Sequence, residues 1–185
     1  MAIGRWLLCC SGFLQPTLGA PTGMMKLWAE LHDRHCGPGC CVERLAWSDC
    51  PASVAEHVRL LADDRPPAVL IFAYSWGAAL AVRIARELGK RSIDVQHLVL
   101  TDPIYRHAYF AGNWRALLPW WPINIPRNVR EVTWWRQLDS CPRGHDLVAC
   151  EEHTLLHPPR LASAAHEFMD ELLDFRQTSL RIAAA

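Results

Sequence analysis

Residues 68 to 77 read AVLIFAYSWG, and no other stretch of the chain limits its fold as strongly. Val69, Leu70, Ile71 and Phe72 form a short, unbroken apolar run entered after Pro66 and Pro67. That is the pattern of a strand buried on both faces of a parallel sheet. Ser75 follows at once, and AALAVRIAREL, after Gly77, reads as a helix with small residues in its first turn. Strand, sharp turn and helix in succession hold a serine in a strained backbone conformation. The positions two before and two after it must then be small, so that strand and helix can approach. Ala73 and Gly77 meet that demand. A plain strand-to-helix connection in which Ser75 only caps the helix fits the same residues; the reactive-serine turn is preferred.

At 185 residues and 51% hydrophobic, the chain suffices for one well-buried domain. Lys plus Arg equals Asp plus Glu at 19 each and no basic run stands out, so no nucleic-acid partner is expected. The eight cysteines include the adjacent pairs Cys9-Cys10 and Cys40-Cys41, several in apolar strand-like runs. This suits buried free thiols and a reducing, cytoplasmic compartment better than a disulfide framework. His35-Cys36-Gly37-Pro38-Gly39-Cys40-Cys41 has no second ligand pair at zinc-site spacing, so it is read as a Gly-Pro-Gly turn and no metal is expected. Arg5 followed by Trp6-Leu7-Leu8-Cys9-Cys10 has some likeness to a signal peptide. The apolar run is short, broken at Ser11-Gly12, and needed as a first strand, so no signal peptide is expected there. No run approaches transmembrane length.

In order, strand-like and helix-like segments alternate. Residues 5–10 form a strand, and residues 23–35 a helix with Met24, Leu27, Trp28 and Leu31 on one face. A second strand covers 41–47, followed by a helix carrying Val54, Val58, Leu60 and Leu61, with Asp49 or Ser53 as cap. The Ser75 strand is third, 95–101 is fourth and ends at Asp102, 129–136 is fifth and 146–150 a short sixth. A last helix is expected over 159–175, where Leu161, Ala165, Phe168, Leu172 and Phe175 recur at helical spacing. This alternation predicts an α/β fold: a doubly wound, mostly parallel sheet of about six strands with helices on both faces. One domain spans 1–178, residues 105–128 form an aromatic, cap-like insertion, and 179–185 are a C-terminal tail. Functional groups should gather at the carboxyl ends of the strands.

From Trp6 to Phe175 the chain resembles the alpha/beta-hydrolase superfamily, in a compact form lacking the first two strands. The resemblance rests on Ser75 in its Ala73-Tyr74-Ser75-Trp76-Gly77 turn, an acid after a later strand and a histidine before the final helix, in that order. Asp102-Pro103, Pro126-Arg127-Asn128-Val129 and His153-Thr154 add to it. Ala73 departs mildly from the commoner glycine. The resemblance implies that Ser75 is a nucleophile activated by a histidine, which a carboxylate orients.

For the base, His153 is preferred, on the loop directly after the sixth strand; His157, four residues on, is its rival. His32, His35, His57 and His166 fall on expected helices, where surface placement is the default, and His97 lies within a strand. For the acid, Asp102 at the end of the fourth strand is placed ahead of Asp139, with Asp146 third. The resemblance places the oxyanion hole on the backbone N–H groups of Trp76 and of Phe13 or Leu14. Ser11 stands where relatives carry the histidine of a His-Gly pair, which leaves the backbone donor intact.

Between Asp102 and Val129 lie Tyr105, Tyr109, Phe110, Trp114, Trp120 and Trp121. They fit a satellite core or a cap holding an acyl group equally well. The expectation is a serine hydrolase that cleaves a small-molecule carboxylic ester or thioester through an acyl-enzyme, without cofactor. A non-catalytic binding protein of the same fold and an acyltransferase are the alternatives.

Overall fold

The computed structural model describes residues 2–13, 15, 21–62, 65–104, 122–149 and 154–185. Three strand-helix units and a fourth strand begin the fold: β1 (Arg5–Cys10), α1 (Gly23–His35), β2 (Cys40–Leu45), α2 (Pro51–Leu61), β3 (Ala68–Tyr74), α3 (Trp76–Gly89) and β4 (Val95–Thr101). Strands β5 (Ile123–Ile125), β6 (Val129–Gln137), β7 (Leu147–Ala149), β8 (Leu155–Leu156) and β9 (Arg160–Ala162) follow. A 3-10 turn, His166–Glu171, leads into the last helix, α4 (Leu173–Ala184).

The main sheet has seven strands in the order β2-β1-β3-β4-β6-β8, with β9 also on β6, and every pairing in it is parallel. It is the doubly wound α/β sheet expected from the alternation. The chain steps from β1 outward to β2, then returns across β1 to lay down β3. Because parallel crossovers keep one hand, that reversal puts α1 on one face and α2 and α3 on the other. It also opens a crevice between the carboxyl ends of β1 and β3, where this architecture places its ligands.

The strand periodicity sorts the core. Trp6, Leu8 and Cys10 of β1 and Val69, Ile71 and Ala73 of β3 pack with α2 and α3. The alternate residues Leu7, Cys9, Leu70, Phe72 and Tyr74 pack with α1, Met169 and Phe175. Both faces of β1 and β3 are therefore buried, which is why these strands are unbroken apolar runs. α1 spans the expected residues and is capped by Thr22, whose Oγ1 accepts from the Met25 N–H at 3.4 Å.

Four expectations are corrected. α2 begins at Pro51 with Cys50 as N-cap and no side-chain cap bond, so neither Asp49 nor Ser53 caps it, and Leu60 and Leu61 lie exposed. The strand expected over 146–150 is β7, which pairs with β5 in a separate two-stranded sheet; residue 150 lies outside the described residues. Residues 159–175 are not one helix but β9, the 3-10 turn and the start of α4; the apparent helical stripe was coincidental, since Leu161 is 67% and Phe168 59% exposed. Residues 179–185, expected as a tail, complete α4, with Ser179 and Ala183 fully buried. Of the aromatic insertion, residues 105–121 lie outside the described residues, while 123–125 form β5.

Among the described residues, no helix is long and apolar enough to cross a membrane. Cys9, Cys10, Cys36, Cys40, Cys41, Cys50 and Cys141 are all free thiols, and Cys9 and Cys10 are buried in the core, where desolvation pushes both thiols well up from their ordinary value.

Candidate active site

Ser75 occupies the single-residue turn between β3 and α3, with φ 53° and ψ −125°. An L-residue enters this region only when its surroundings hold it there. Three backbone bonds do so. The Ser75 N–H donates to the Thr101 carbonyl at 3.2 Å, and the Ser75 carbonyl accepts from Ala78 at 3.0 Å and Ile104 at 3.1 Å. The small flanking residues earn their place sterically: a Cβ on Gly77 would sit 2.4 Å from the Cys10 carbonyl oxygen and 2.7 Å from that of Ser11. Ala73 is wholly buried between the sheet and the α2–α3 layer.

Asp102 follows β4 in a second positive-φ turn, φ 41°, and is fully buried. Its Oδ1 accepts from the backbone N–H groups of Gly144 at 3.0 Å and Gln137 at 3.3 Å. Its Oδ2 accepts from Gln137 Nε2 at 3.2 Å and pairs with His166 Nδ1 at 2.5 Å. A Cβ on Gly144 would lie 2.3 Å from Oδ1, so only glycine permits this approach. A buried carboxylate is tolerated when its lone pairs are satisfied in this way.

His166 opens the 3-10 turn and is 9% exposed. Its Nε2 lies 2.9 Å from Ser75 Oγ. The Asp102 carboxylate can only accept, so Nδ1 carries the proton, and Nε2 of the neutral ring offers its lone pair to the serine hydroxyl. The turn is tied to the sheet by two hydroxyls: Tyr74 Oη donates to the His166 carbonyl at 2.8 Å, and Thr101 Oγ1 to that of Met169 at 3.0 Å. Ser140 Oγ accepts from the His166 N–H at 2.8 Å, and the Tyr74 ring lies against the imidazole with centroids 5.2 Å apart. Burial raises the Tyr74 phenol above its ordinary value, so it stays protonated and able to donate.

Ser75 and Asp102, both singled out in the sequence, are thus brought together, but through a different histidine. His153 lies outside the described residues. The rival His157 is occupied elsewhere, its Nε2 2.7 Å from Glu131 Oε1 beside β6. A continuous helix over 159–175 would put His166 on a surface; the 3-10 turn instead directs its ring inward. The usable signal was its place just ahead of the true final helix. Asp139 is exposed in the turn after β6, where its Oδ2 accepts from Ser163 Oγ at 3.2 Å, and Asp146 pairs with Arg136.

Trp76 begins α3, so its N–H belongs to the helix N-terminus beside Ser75, where the helix dipole favours negative charge. Phe13 lies in the turn after β1, 43% exposed, its ring 4.4 Å from that of Trp76 and 5.3 Å from that of Trp47. A cavity of about 340 Å³ opens over Ser75, lined mainly by apolar surface that includes Phe13, Trp76, Ile104 and Pro142, with Glu167 beside His166. Among the described residues no cluster of His, Cys, Asp or Glu is arranged to hold a metal ion.

A parallel α/β sheet with a strained serine at the carboxyl end of β3, bonded to a buried histidine, is the arrangement of a serine-centred α/β fold. Residues 8–181 match the model of the alpha/beta hydrolase family, and the chain belongs to that family. Among solved structures it is similar to the RedJ thioesterase from the prodiginine biosynthetic pathway of Streptomyces coelicolor, at 14% identity and a TM-score of 0.50 over 99% of this chain and 86% of that one. It is similar also to YbtT, a type II thioesterase from the yersiniabactin biosynthetic pathway, at 12% identity and a TM-score of 0.52 over 98% of this chain and 92% of that one. No curated protein matches the sequence.

Proposed function

We propose that the protein is a serine hydrolase cleaving carboxylic esters or thioesters through an acyl-enzyme, with Ser75 as nucleophile, His166 as base and Asp102 as the group that orients it. The observation that carries this reading is the imidazole of His166, bonded at once to Ser75 Oγ and to the buried Asp102 carboxylate. A serine hydroxyl is a weak nucleophile until a base takes its proton, and the base works only in the tautomer that its carboxylate partner selects.

Ser75 Oγ attacks the acyl carbonyl carbon as its proton passes to His166 Nε2. The carbonyl electrons move onto oxygen, and the N–H groups of Trp76 and Phe13 are the donors proposed to face that charge. Collapse of the adduct breaks the bond to the alcohol or thiol, which leaves with the proton from His166. Water then gives its proton to His166 and attacks the acyl-serine, and Ser75 regains its proton as the carboxylic acid departs. RedJ and YbtT are described as thioesterases, which makes short acyl thioesters the first substrates to try; the apolar cavity over Ser75 suits an uncharged acyl group.

The test is a fluorophosphonate probe, which needs an activated serine but no known substrate. Covalent labelling that maps to the peptide containing Ser75, and disappears in folded Ser75→Ala, is the expected result. Labelling that persists in that variant would remove the assignment.

A further inference from the structure

Gln15 joins the two segments that flank Ser75. Its Oε1 accepts from the Gly12 N–H at 2.9 Å, in the turn after β1, and its Nε2 donates to Asp170 Oδ2 at 2.7 Å, in the 3-10 turn that His166 opens. The same Oδ2 accepts from the Met24 N–H at the start of α1, at 2.9 Å. Gln15 is 6% and Asp170 2% exposed, and Gln15 also lines the cavity over Ser75. Gly23 closes the contact from the α1 side, since a Cβ there would lie 2.1 Å from the Asp170 carbonyl oxygen.

A primary amide has one accepting and one donating end, and a free amide can turn either toward Gly12. Asp170 Oδ2 accepts both from the Met24 N–H and from Gln15 Nε2, so it holds the NH₂ end of Gln15 and leaves the carbonyl end for the Gly12 N–H. That commits the Gly12 amide, and the next one along the turn, Phe13, is a donor proposed for the oxyanion.

We propose that Gln15, oriented by Asp170, is a positioning residue that locks the Gly12-Phe13 turn to the His166 turn, so that oxyanion donor and base face Ser75 in one fixed relation. It touches no reacting atom and acts through the backbone of one turn and the placement of the other. The proposal rests on the serine-hydrolase reading above. Preorganised donors act on the transition state more than on the bound substrate, so loss of the clamp lowers kcat and leaves KM little changed.

The experiment compares steady-state hydrolysis of a short-chain p-nitrophenyl ester, fluorophosphonate labelling and thermal melting for the parent chain and four variants: Gln15→Ala, Gln15→Glu, Asp170→Ala and Asp170→Asn. Gln15→Ala and Asp170→Ala are expected to lower kcat by about tenfold or more with KM within about twofold of the parent. Gln15→Glu, which sets two carboxylates against each other, should lose at least as much. Asn at position 170 keeps an oxygen able to accept from both Gln15 and Met24, and should restore kcat to within about threefold. If Asp170→Ala fails to fold, the two Gln15 variants still decide the matter. A folded Gln15→Ala whose kcat matches the parent, or whose loss lies wholly in KM, overturns the clamp; so does an Asp170→Asn no better than a folded Asp170→Ala. A parent chain that neither labels nor hydrolyses removes the serine-hydrolase reading and the clamp with it. A parent that labels, beside an unaffected Gln15→Ala, removes the clamp alone.

Discussion

The Nε2 atom of His166 lies 2.9 Å from Ser75 Oγ, although 91 residues of chain separate the two. If that contact is the proton path, His166→Gln should lower turnover by on the order of a thousandfold or more while the melting temperature changes little. His157→Gln, whose ring faces Glu131, should leave turnover near the parent value. Ester hydrolysis by the two purified variants separates them, and the reverse pattern would return the role of base to another histidine.

For the acid, Asp102→Asn exchanges an acceptor for a group that can donate toward His166 Nδ1, which favours the wrong tautomer. Turnover should fall by about a thousandfold or more. Asp139→Asn touches only the exposed bond to Ser163 and should change turnover less than about twofold. Matched kinetics on both variants is the check, and a steep loss only in Asp139→Asn would sink the assignment.

Gly77 carries a steric prediction. Both atoms that a Cβ would strike, the carbonyl oxygens of Cys10 and Ser11, are backbone at the end of β1 and cannot swing aside. Gly77→Val should therefore cost about 3 kcal/mol or more in urea unfolding, at the upper end of overpacking changes. A loss under about 1 kcal/mol would mean that α3 and β1 can separate without penalty.

Asp170 gives a pH dependence. Burial is the main cause that raises its carboxyl above the ordinary carboxylate value, opposed by the bonds from Met24 and Gln15. The folded chain thus holds this proton more tightly than the unfolded chain, so stability falls as pH rises from the unfolded value toward the raised folded one, and the cost is complete above it. Asp170→Asn removes the titration. Its melting temperature should exceed that of the parent at about pH 7, and the gap should narrow as the pH approaches about 4. A parent more stable than Asp170→Asn at neutral pH would contradict this.

The parts of the fold legible in sequence share a cause. β1 and β3 are buried on both faces, so their apolar runs are continuous; β4 is apolar over Leu98, Val99 and Leu100, and α1 shows its buried stripe at Met24, Leu27 and Leu31. Local physics also marked the Ser75 turn, because a strained serine needs Ala73 and Gly77 beside it. Past residue 137 the signal weakens, since β7, β8 and β9 are three residues or fewer. Strands so short carry no readable alternation. The spacing of Leu161 and Phe168 imitated a helix, although both side chains face outward.

Sequence alone determined that a parallel α/β sheet would form and that Ser75 and Asp102 would stand at the carboxyl ends of two of its strands. Strand ends follow from the pattern of burial along a short segment, and the turn residues are adjacent to them. Which histidine meets those two residues is a different kind of fact. It depends on how the segment from Arg160 to Ala184 divides into strand, 3-10 turn and helix. That division is held by contacts distant in sequence: Tyr74 Oη on the His166 carbonyl, Thr101 Oγ1 on Met169, Gln15 on Asp170 and Asp174 on Trp135 Nε1. A turn fixed by bonds to β3, β4, β6 and the loop after β1 has no local pattern to announce it, so only the assembled sheet decides that the imidazole facing Ser75 belongs to His166.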